Sequence, residues 1–426
     1  MDYDVAIVGA GAAGLMAACT AAANGRRVLL IEKMDQAGRK LRITGKGRCN
    51  LTNTASMRDT LPHISSSTAG TTNKPGQEGG VWLRNAYGRF FNQELMQWFE
   101  ERGVPLAEER GGRVYPASSK ALDIFLALIG ELEQNPDVTI CKNTAVKGIE
   151  TFDGHVTALL TDRGGRIVCH NIILATGGLS YPTTGSTGAG HRICRELGHT
   201  VVEPVPSLVP LKCAEKIPDD LVGFLLKNVQ LSLADGQTGD TLFSSGVGEM
   251  TFTPDGLAGP LTLSASRYAT RPLHNGKPIK AELDLKPGLT AEQLDRRLQQ
   301  DINQNGTRVF NDALRLWLPA ELITLALPQL HIEYYKRLHQ ITGEERRRLG
   351  HWLKHVEFSL TGTHDWNEAI VTQGGVALSE VNPKTMESRL VKGLYIIGEL
   401  LDLDADTGGY NLQIAFSTAH AAAEAV

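Results

Sequence analysis

The sequence predicts an α/β chain in which a parallel-sheet domain is interrupted by a strand-rich insert and a small helical segment. Three observations lead there. Residues 4–32 read as strand, glycine turn, helix and strand; the later buried runs NIILATGG and LYIIGE read as strands returning to the same sheet; and between about Glu203 and Thr361 the pattern changes to short strands and turns, then to amphipathic helices. At 426 residues the chain is long enough for two or three cores, and with 42% apolar and 21% charged residues it falls among ordinary globular proteins. Glycine is the outlier: its 45 copies cluster in a few segments, as expected where backbone lies close to a ligand.

The first element is YDVAIVGAGAAG, a buried strand, a tight turn and a helix running to about Asn24, where Gly25 stops it. Gly9 permits the turn, Gly11 lets backbone approach a pyrophosphate, and Gly14 allows close packing while the helix N-terminus, from Ala12, offers unpaired N–H groups to the anion. RRVLLIE follows as a second buried strand ending in Glu32, at the spacing where a carboxylate meets a ribose hydroxyl. Together these pieces predict a Rossmann-type domain holding a dinucleotide, and the acid fits FAD or NAD better than NADP. The uncharged run from 5 to 23 mimics a membrane span or signal sequence. Its three glycines, and Asp2 and Asp4 before it, argue for a chain that stays in solution, outside any membrane.

FAD is expected over NAD because further contact stretches follow. In MDQAGRKLRITGKGRCNLTN (34–53), Arg39, Lys40, Arg42, Lys46 and Arg48 alternate with Gly38, Gly45 and Gly47, which suits a loop along an anionic, planar ligand; a solvated basic turn is the alternative. Residues 137–176 then alternate as short strands, DVTIC, VTALLT and RIVCH, a β-meander feeding a return strand that brings Ala175, Thr176 and Gly177 to the cofactor. The domain is thus expected to be three-layered with a meander. The last 33 residues supply a strand, an acidic loop, the Gly408–Gly409 turn and an alanine-rich helix. Glu399 is placed to accept from ribityl hydroxyls, unless it is merely a solvated strand-end acid, and the N–H groups at Asn411 and Leu412 aim at the flavin pyrimidine edge. Val146, Gly398 and Gly409 complete the expected cofactor contacts. GSTGAG (185–190) has the wrong spacing for a second dinucleotide turn, so NAD(P)H is expected only as a transient reductant.

The boundaries expected are 1–202 and 363–426 for the two parts of the FAD-binding domain, 203–289 with 355–362 for a β-barrel-like substrate domain, and 290–354 for a helical subdomain. VQLSLAD and PIKAELDL are barrel strands by their alternation. Thr290 with Gln293, and Thr342 with Glu345, form capping boxes; Leu294, Leu298 and Ile302 line one helix, and Leu349, Trp352, Leu353 and Val356 the other. Arg346–Arg348, Lys354 and His355 form a polar surface, solvated or open to an anionic partner such as RNA. Residues 55–80, rich in Ser, Thr, Gly, Asn and Pro, read as a flexible excursion. Six scattered cysteines without C-x-x-C fit a reducing cytoplasm, no metal-binding spacing is seen among the twelve histidines, and a net charge of −4 gives no overall footprint for nucleic acid.

GAGAAG, GRKLRITGKGRCNLTN, GGRVYP (111–116), ATGGLSYPTTGSTGAGH, GEMTFTPDGLAGP and TQGGVALSEVNPKTMESRLVKGLYIIGELLDLDADTGGYNLQIAFST resemble the BaiN/RdsA-like NAD(P)/FAD-dependent oxidoreductases along nearly the whole chain. The resemblance implies an FAD domain with a barrel-like and a helical insert. It places Gly9, Gly11, Ala12, Gly14, Glu32, Lys33, Arg39, Lys40, Gly45, Cys49, Thr176, Gly177, Glu399, Asn411 and Leu412 on FAD-contact motifs. This chain departs from the common pattern at Lys46 and Ala405, and the stretch 55–80 has no counterpart. Members of the family include a ribosomal RNA dihydrouridine synthase, reductases of unsaturated steroids and aminoacetone oxidases. The expected reaction is hydride transfer from reduced flavin to a C=C conjugated to a carbonyl, with uridine in ribosomal RNA as substrate. Small-molecule oxidation or reduction, and a non-catalytic flavin-bearing scaffold, are the alternatives. Lys46 and Arg48 are the candidates for charge stabilisation, Cys49 for proton donation (or simply for packing), and Arg113 and Tyr115 for orientation.

Overall fold

Runs of four apolar residues without a polar break need cover on both faces. Val5–Val8 and Val28–Ile31 are such runs, buried along their whole length. They pair in parallel, in a sheet ordered Leu394–Ile396, Ile172–Leu174, Val5–Val8, Val28–Ile31, Val138–Cys141, with every pairing parallel. All five carboxyl ends therefore lie on one edge, where Gly9, Glu32, Ala175 and Ile397 leave the strands. The computed structural model describes residues 3–67 and 77–426, in two compact units: Met1–Pro206 with Ala369–Val426, and Ser207–Glu368.

The first helix, Ala12–Ala23, is stopped at Asn24 before Gly25, whose φ is +74°. Its small residues are buried almost all round, and it packs against the closing helix Tyr410–Ala425, which buries Ala419, Ala421, Ala422 and Ala423. Small side chains on both helices let the backbones approach closely.

Several expectations for this unit are corrected. DVTIC is the outer strand of the parallel sheet, not part of the meander; the meander consists of Val146–Phe152, His155–Thr161 and Arg166–Val168, its first strand having no clean apolar alternation to announce it. Residues 34–53 are not one loop: Arg39–Gly47 is helical, broken at Thr44, Gly45 and Lys46, and Thr52–Asn53 is a strand. Nor is the stretch 55–80 a simple excursion. Met57–Thr60 is helical, Ile64–Ser65 pairs antiparallel with Asp404–Ala405, and a helix spans Gln77–Tyr87. Its polar residues find fixed partners in the acidic loop: His63 contacts Asp406 (2.8 Å), Ser65 donates to Asp404 (2.9 Å) and Ser66 to Asp402 (2.8 Å). The remainder of that stretch, 68–76, lies outside the described residues.

In the second unit the sheet closes on itself. Leu226–Asp235, Gly248–Thr253, Gly256–Ala258, Leu211–Cys213, Val356–Thr363 and Ile279–Asp284 follow one another, and the last pairs back with the first, with Thr241–Ser244 added outside. Alternate residues of Ile279–Asp284 and Val356–Thr363 point inward, as closure requires. Residues up to 289 are not all strands, since Pro260–His274 is a helix that buries Ala265 and Ala269. The helices Ala291–Gln304 and Gly343–Lys354 open with the two capping boxes, and Leu294, Leu298, Leu349, Trp352 and Leu353 share one apolar core with the barrel. Their basic residues are mostly committed: Arg346 pairs with Asp295 (2.8 Å), Arg348 donates to Leu330 O, Lys354 pairs with Asp284 (2.5 Å) and His355 with Glu282 (2.9 Å). Arg347 is exposed, so the face is a solvated one whose charges are largely paired. Among the described residues no helix is long and apolar enough to cross a membrane.

Candidate functional site

The carboxyl edge of the parallel sheet collects most of the expected contacts. Gly9, at φ +102°, turns the chain out of its strand, and a Cβ there would stand 2.5 Å from Ala175 O. At Gly14 a Cβ would stand 1.8 Å from Gly9 O, so the helix seats on the turn only through glycine. Gly11 differs: its φ of −81° suits any residue, and a Cβ there meets nothing within 4 Å. The face above Gly11 is thus open in front of the first-turn N–H groups, which have no intrahelical acceptors. A diphosphate fits there.

Glu32 is held in place by two backbone donors, Ala10 N–H (2.9 Å) and Met34 N–H (2.8 Å), one on each oxygen. Each oxygen keeps a lone pair for a ribose hydroxyl. Lys33 donates to Thr187 (2.7 Å), and burial lowers its pKa. Val146 begins the meander as a buried residue paired with Thr161. Ala175 donates its N–H to Val8 O (2.9 Å), Gly177 takes φ +70°, and the Thr176 hydroxyl is buried beside Gly190, so Thr176 offers the edge its backbone rather than its oxygen.

On the opposite strand Gly398 (φ +64°) donates to Thr418 (3.0 Å), and a Cβ would meet Ala13 Cβ at 3.0 Å and Ala415 Cβ at 4.0 Å. The start of the first helix and the second and third turns of the closing helix therefore flank this edge. Gly409 (φ +100°) caps the second helix, passing so close to Thr52 O (2.3 Å from a built Cβ) that only glycine fits. Asn411 is tied to Ala405, accepting from its N–H (3.0 Å) and donating to its carbonyl (2.8 Å). The N–H groups of Tyr410, Asn411 and Leu412 lie in the first turn, with no acceptors inside the helix.

Glu399 is the centre of a network. It accepts from Lys40 Nζ (2.7 Å), Ser180 Oγ (2.8 Å) and Thr372 N–H (2.8 Å), and Lys40 also reaches Ser180. Burial alone would raise its pKa, but Lys40, Ser180 and Thr372 together hold the carboxyl below the usual range. Ser180 and Thr372 escaped the sequence reading; hydroxyls embedded in ATGGLSYP and VTQGG were the available signal.

The segment carrying Lys40 starts beside the glycine turn, where Gly38 N–H donates to Ala10 O (2.8 Å). Arg39 pairs with Asp35 (3.4 Å), and Arg42 donates to Gln36 (2.8 Å). Arg48 is paired with Glu109 and sits 4.3 Å over the Tyr115 ring. Arg113 donates to Arg110 O (3.1 Å). Gly45, Lys46 and Gly47 are all left-handed (φ +57°, +58°, +82°), and Lys46 is exposed with no polar partner among the described residues. Cys49 is 0% exposed, with burial pushing its thiol up to about 12. A sulfur with no accessible surface faces neither solvent nor the open edge, which favours packing over proton donation.

Comparison with known proteins identifies the family. The family model "HI0933-like protein Rossmann domain" matches residues 3–425. A 3-dehydro-bile acid delta(4,6)-reductase of Clostridium scindens is 30% identical over 424 residues, 99% of this chain and 98% of that protein. A ribosomal RNA dihydrouridine synthase of Haemophilus influenzae is 30% identical over 422 residues, 98% of this chain and 96% of its own. A solved quinol-fumarate reductase is similar in fold with a TM-score of 0.50 at 17% identity, covering 100% of this chain and 70% of that one. The chain belongs to the HI0933-like protein Rossmann domain family and is an FAD-dependent oxidoreductase.

Proposed function

We propose that this protein saturates a carbon–carbon double bond conjugated to a carbonyl, with NAD(P)H as transient reductant, and that its substrate is uridine in ribosomal RNA. One observation carries this. Two relatives at the same 30% identity, each matched over nearly the whole chain, bear names describing one kind of chemistry, a delta(4,6)-reductase of a 3-dehydro bile acid and a dihydrouridine synthase. Bound flavin supplies the hydride. Gly9, Gly11, Ala12 and Gly14 hold the diphosphate, Glu32 the ribose, and Val146, Ala175, Thr176 and Gly177 line the edge with backbone. Lys40, fixed by Glu399 and Ser180, presents a positioned ammonium, while Gly409 turns the chain into the helix whose Asn411 and Leu412 N–H groups are directed toward the ring. Arg48, locked between Glu109 and Tyr115, keeps its place as a wall beside the substrate; Arg113 and Tyr115 orient, and Lys46 is the cation left to meet it. RNA as substrate puts the protein in the cytoplasm.

A steroid-like enone is the second reading, favoured by the Clostridium scindens relative, which matches as fully as the RNA enzyme. Mass spectrometry of ribosomal RNA from cells with and without the gene separates them. Loss of one dihydrouridine on deletion is the expected result. Unchanged RNA, with anaerobic reoxidation of the reduced protein by a 3-oxo-4-ene steroid, would replace uridine by the enone.

A further inference from the structure

Of the five basic side chains between Arg39 and Arg48, four are committed. Arg39 is paired with Asp35, Lys40 with Glu399, Arg42 with Gln36, and Arg48 with Glu109 and the Tyr115 face. Lys46 alone is exposed with no polar partner among the described residues. Its backbone is also unusual. It occupies φ +58° between two left-handed glycines, where a side chain is strained and glycine would rest freely. Turn formation does not need a side chain there, since glycine serves better. An ammonium held at a position that disfavours every side chain has its use outside the fold.

We propose that Lys46 anchors an anionic group of the substrate, a phosphodiester next to the reacting uridine, and so selects an RNA strand over a free nucleoside. The inference rests on the RNA reading of the function. Its location supports it: Lys46 ends the segment that begins at the glycine turn and reaches Glu399 through Lys40, and at the neighbouring Gly45 a Cβ would lie 3.8 Å from the Tyr115 ring. The backbone break at Thr44–Lys46 interrupts the helix before Lys46, which is exposed. Phosphate contacts of this kind give affinity that weakens with salt but carry no base preference.

The test is fluorescence anisotropy of a labelled single-stranded, uridine-containing oligoribonucleotide on the FAD-loaded protein, across a salt series. Lys46→Gly should weaken binding about 5- to 10-fold at low salt and lower the slope of log Kd against log salt by about 1. It should melt no lower than the parent, because the strain is relieved as the charge is lost. Lys46→Arg should keep the parent slope, and Lys46→Ala should lose the slope as glycine does while melting below it. An unchanged slope in Lys46→Gly overturns the proposal, as does a Lys46→Gly protein that melts well below the parent. So does an effect of Lys46→Gly on binding of a carboxylate-bearing steroid enone with none on the oligonucleotide. Anisotropy requires no turnover, so this result stands apart from the dihydrouridine measurement: either can fail while the other succeeds.

Discussion

Gly11 and Gly14 sit three residues apart in one motif, yet the structure gives them separable tasks. Gly11 has an ordinary extended backbone (φ −81°, ψ −168°) and nothing within 4 Å of a built Cβ. Gly11→Ala should therefore leave the apoprotein within about 1 kcal/mol of the parent, because the freedom lost by the unfolded chain offsets the poorer fit of alanine at this helix N-cap. The new methyl stands before the first-turn N–H groups. Losing one charge-assisted hydrogen bond to the diphosphate removes about 1.5–3 kcal/mol of binding, roughly 10- to 150-fold in Kd. Gly14→Ala meets Gly9 O at 1.8 Å. Ordinary contact lies near 3.5 Å, so helix and turn must separate by about 1.7 Å, and such overpacking costs about 1–3 kcal/mol or more. Stripping FAD, measuring urea unfolding of each apoprotein and titrating FAD by fluorescence quenching resolves the two. Gly11→Ala should lose FAD affinity alone; Gly14→Ala should lose both affinity and stability. A Gly11→Ala protein that binds FAD as tightly as the parent would refute the placement of the diphosphate.

Two further outcomes follow from buried groups. Cys49→Ala should retain flavin and the single-turnover rate of substrate reduction, while the lost sulfur in a 0% exposed site lowers stability by about 1–2 kcal/mol; unchanged stability with lost turnover would restore Cys49 as the proton donor. His191 is 2% exposed, and burial first, then Arg195, pushes its pKa down to about 4 from 6.5. The unfolded chain takes up a proton near pH 6.5 that the folded chain refuses until about 4, so its contribution to stability is complete above 6.5 and drains away as the pH falls through that window, by about 3 kcal/mol. His191→Leu should flatten this part of the stability curve, read by chemical unfolding at a series of pH values; a parent curve already flat there would refute the assignment.

Legibility varied with the range of the forces involved. The strand, glycine turn, helix and strand of residues 5–32 were readable because glycine conformations, helix stops and unbroken apolar runs are settled within a few residues. The capping boxes at Thr290 and Thr342 were readable for the same reason. The serine-rich stretch near residue 60 was not, because Ser65 and Ser66 find their partners at Asp404 and Asp402, more than three hundred residues away. The meander was misassigned at its first member because apolar content announces a strand but not its neighbour: Val138–Cys141 could pair on either side until the fold placed it beside Val28–Ile31.

By itself the sequence determined that a dinucleotide-binding unit opens the chain, which residues line its turn, and that the unit resumes after an insert. Tertiary structure alone decided which charges remain available. Lys40 is satisfied by Glu399 across 359 residues and Arg48 by Glu109 across 61, leaving Lys46 exposed. Backbone conformation answers to adjacent residues, whereas a long charged side chain answers to whatever the completed fold brings within about 4 Å.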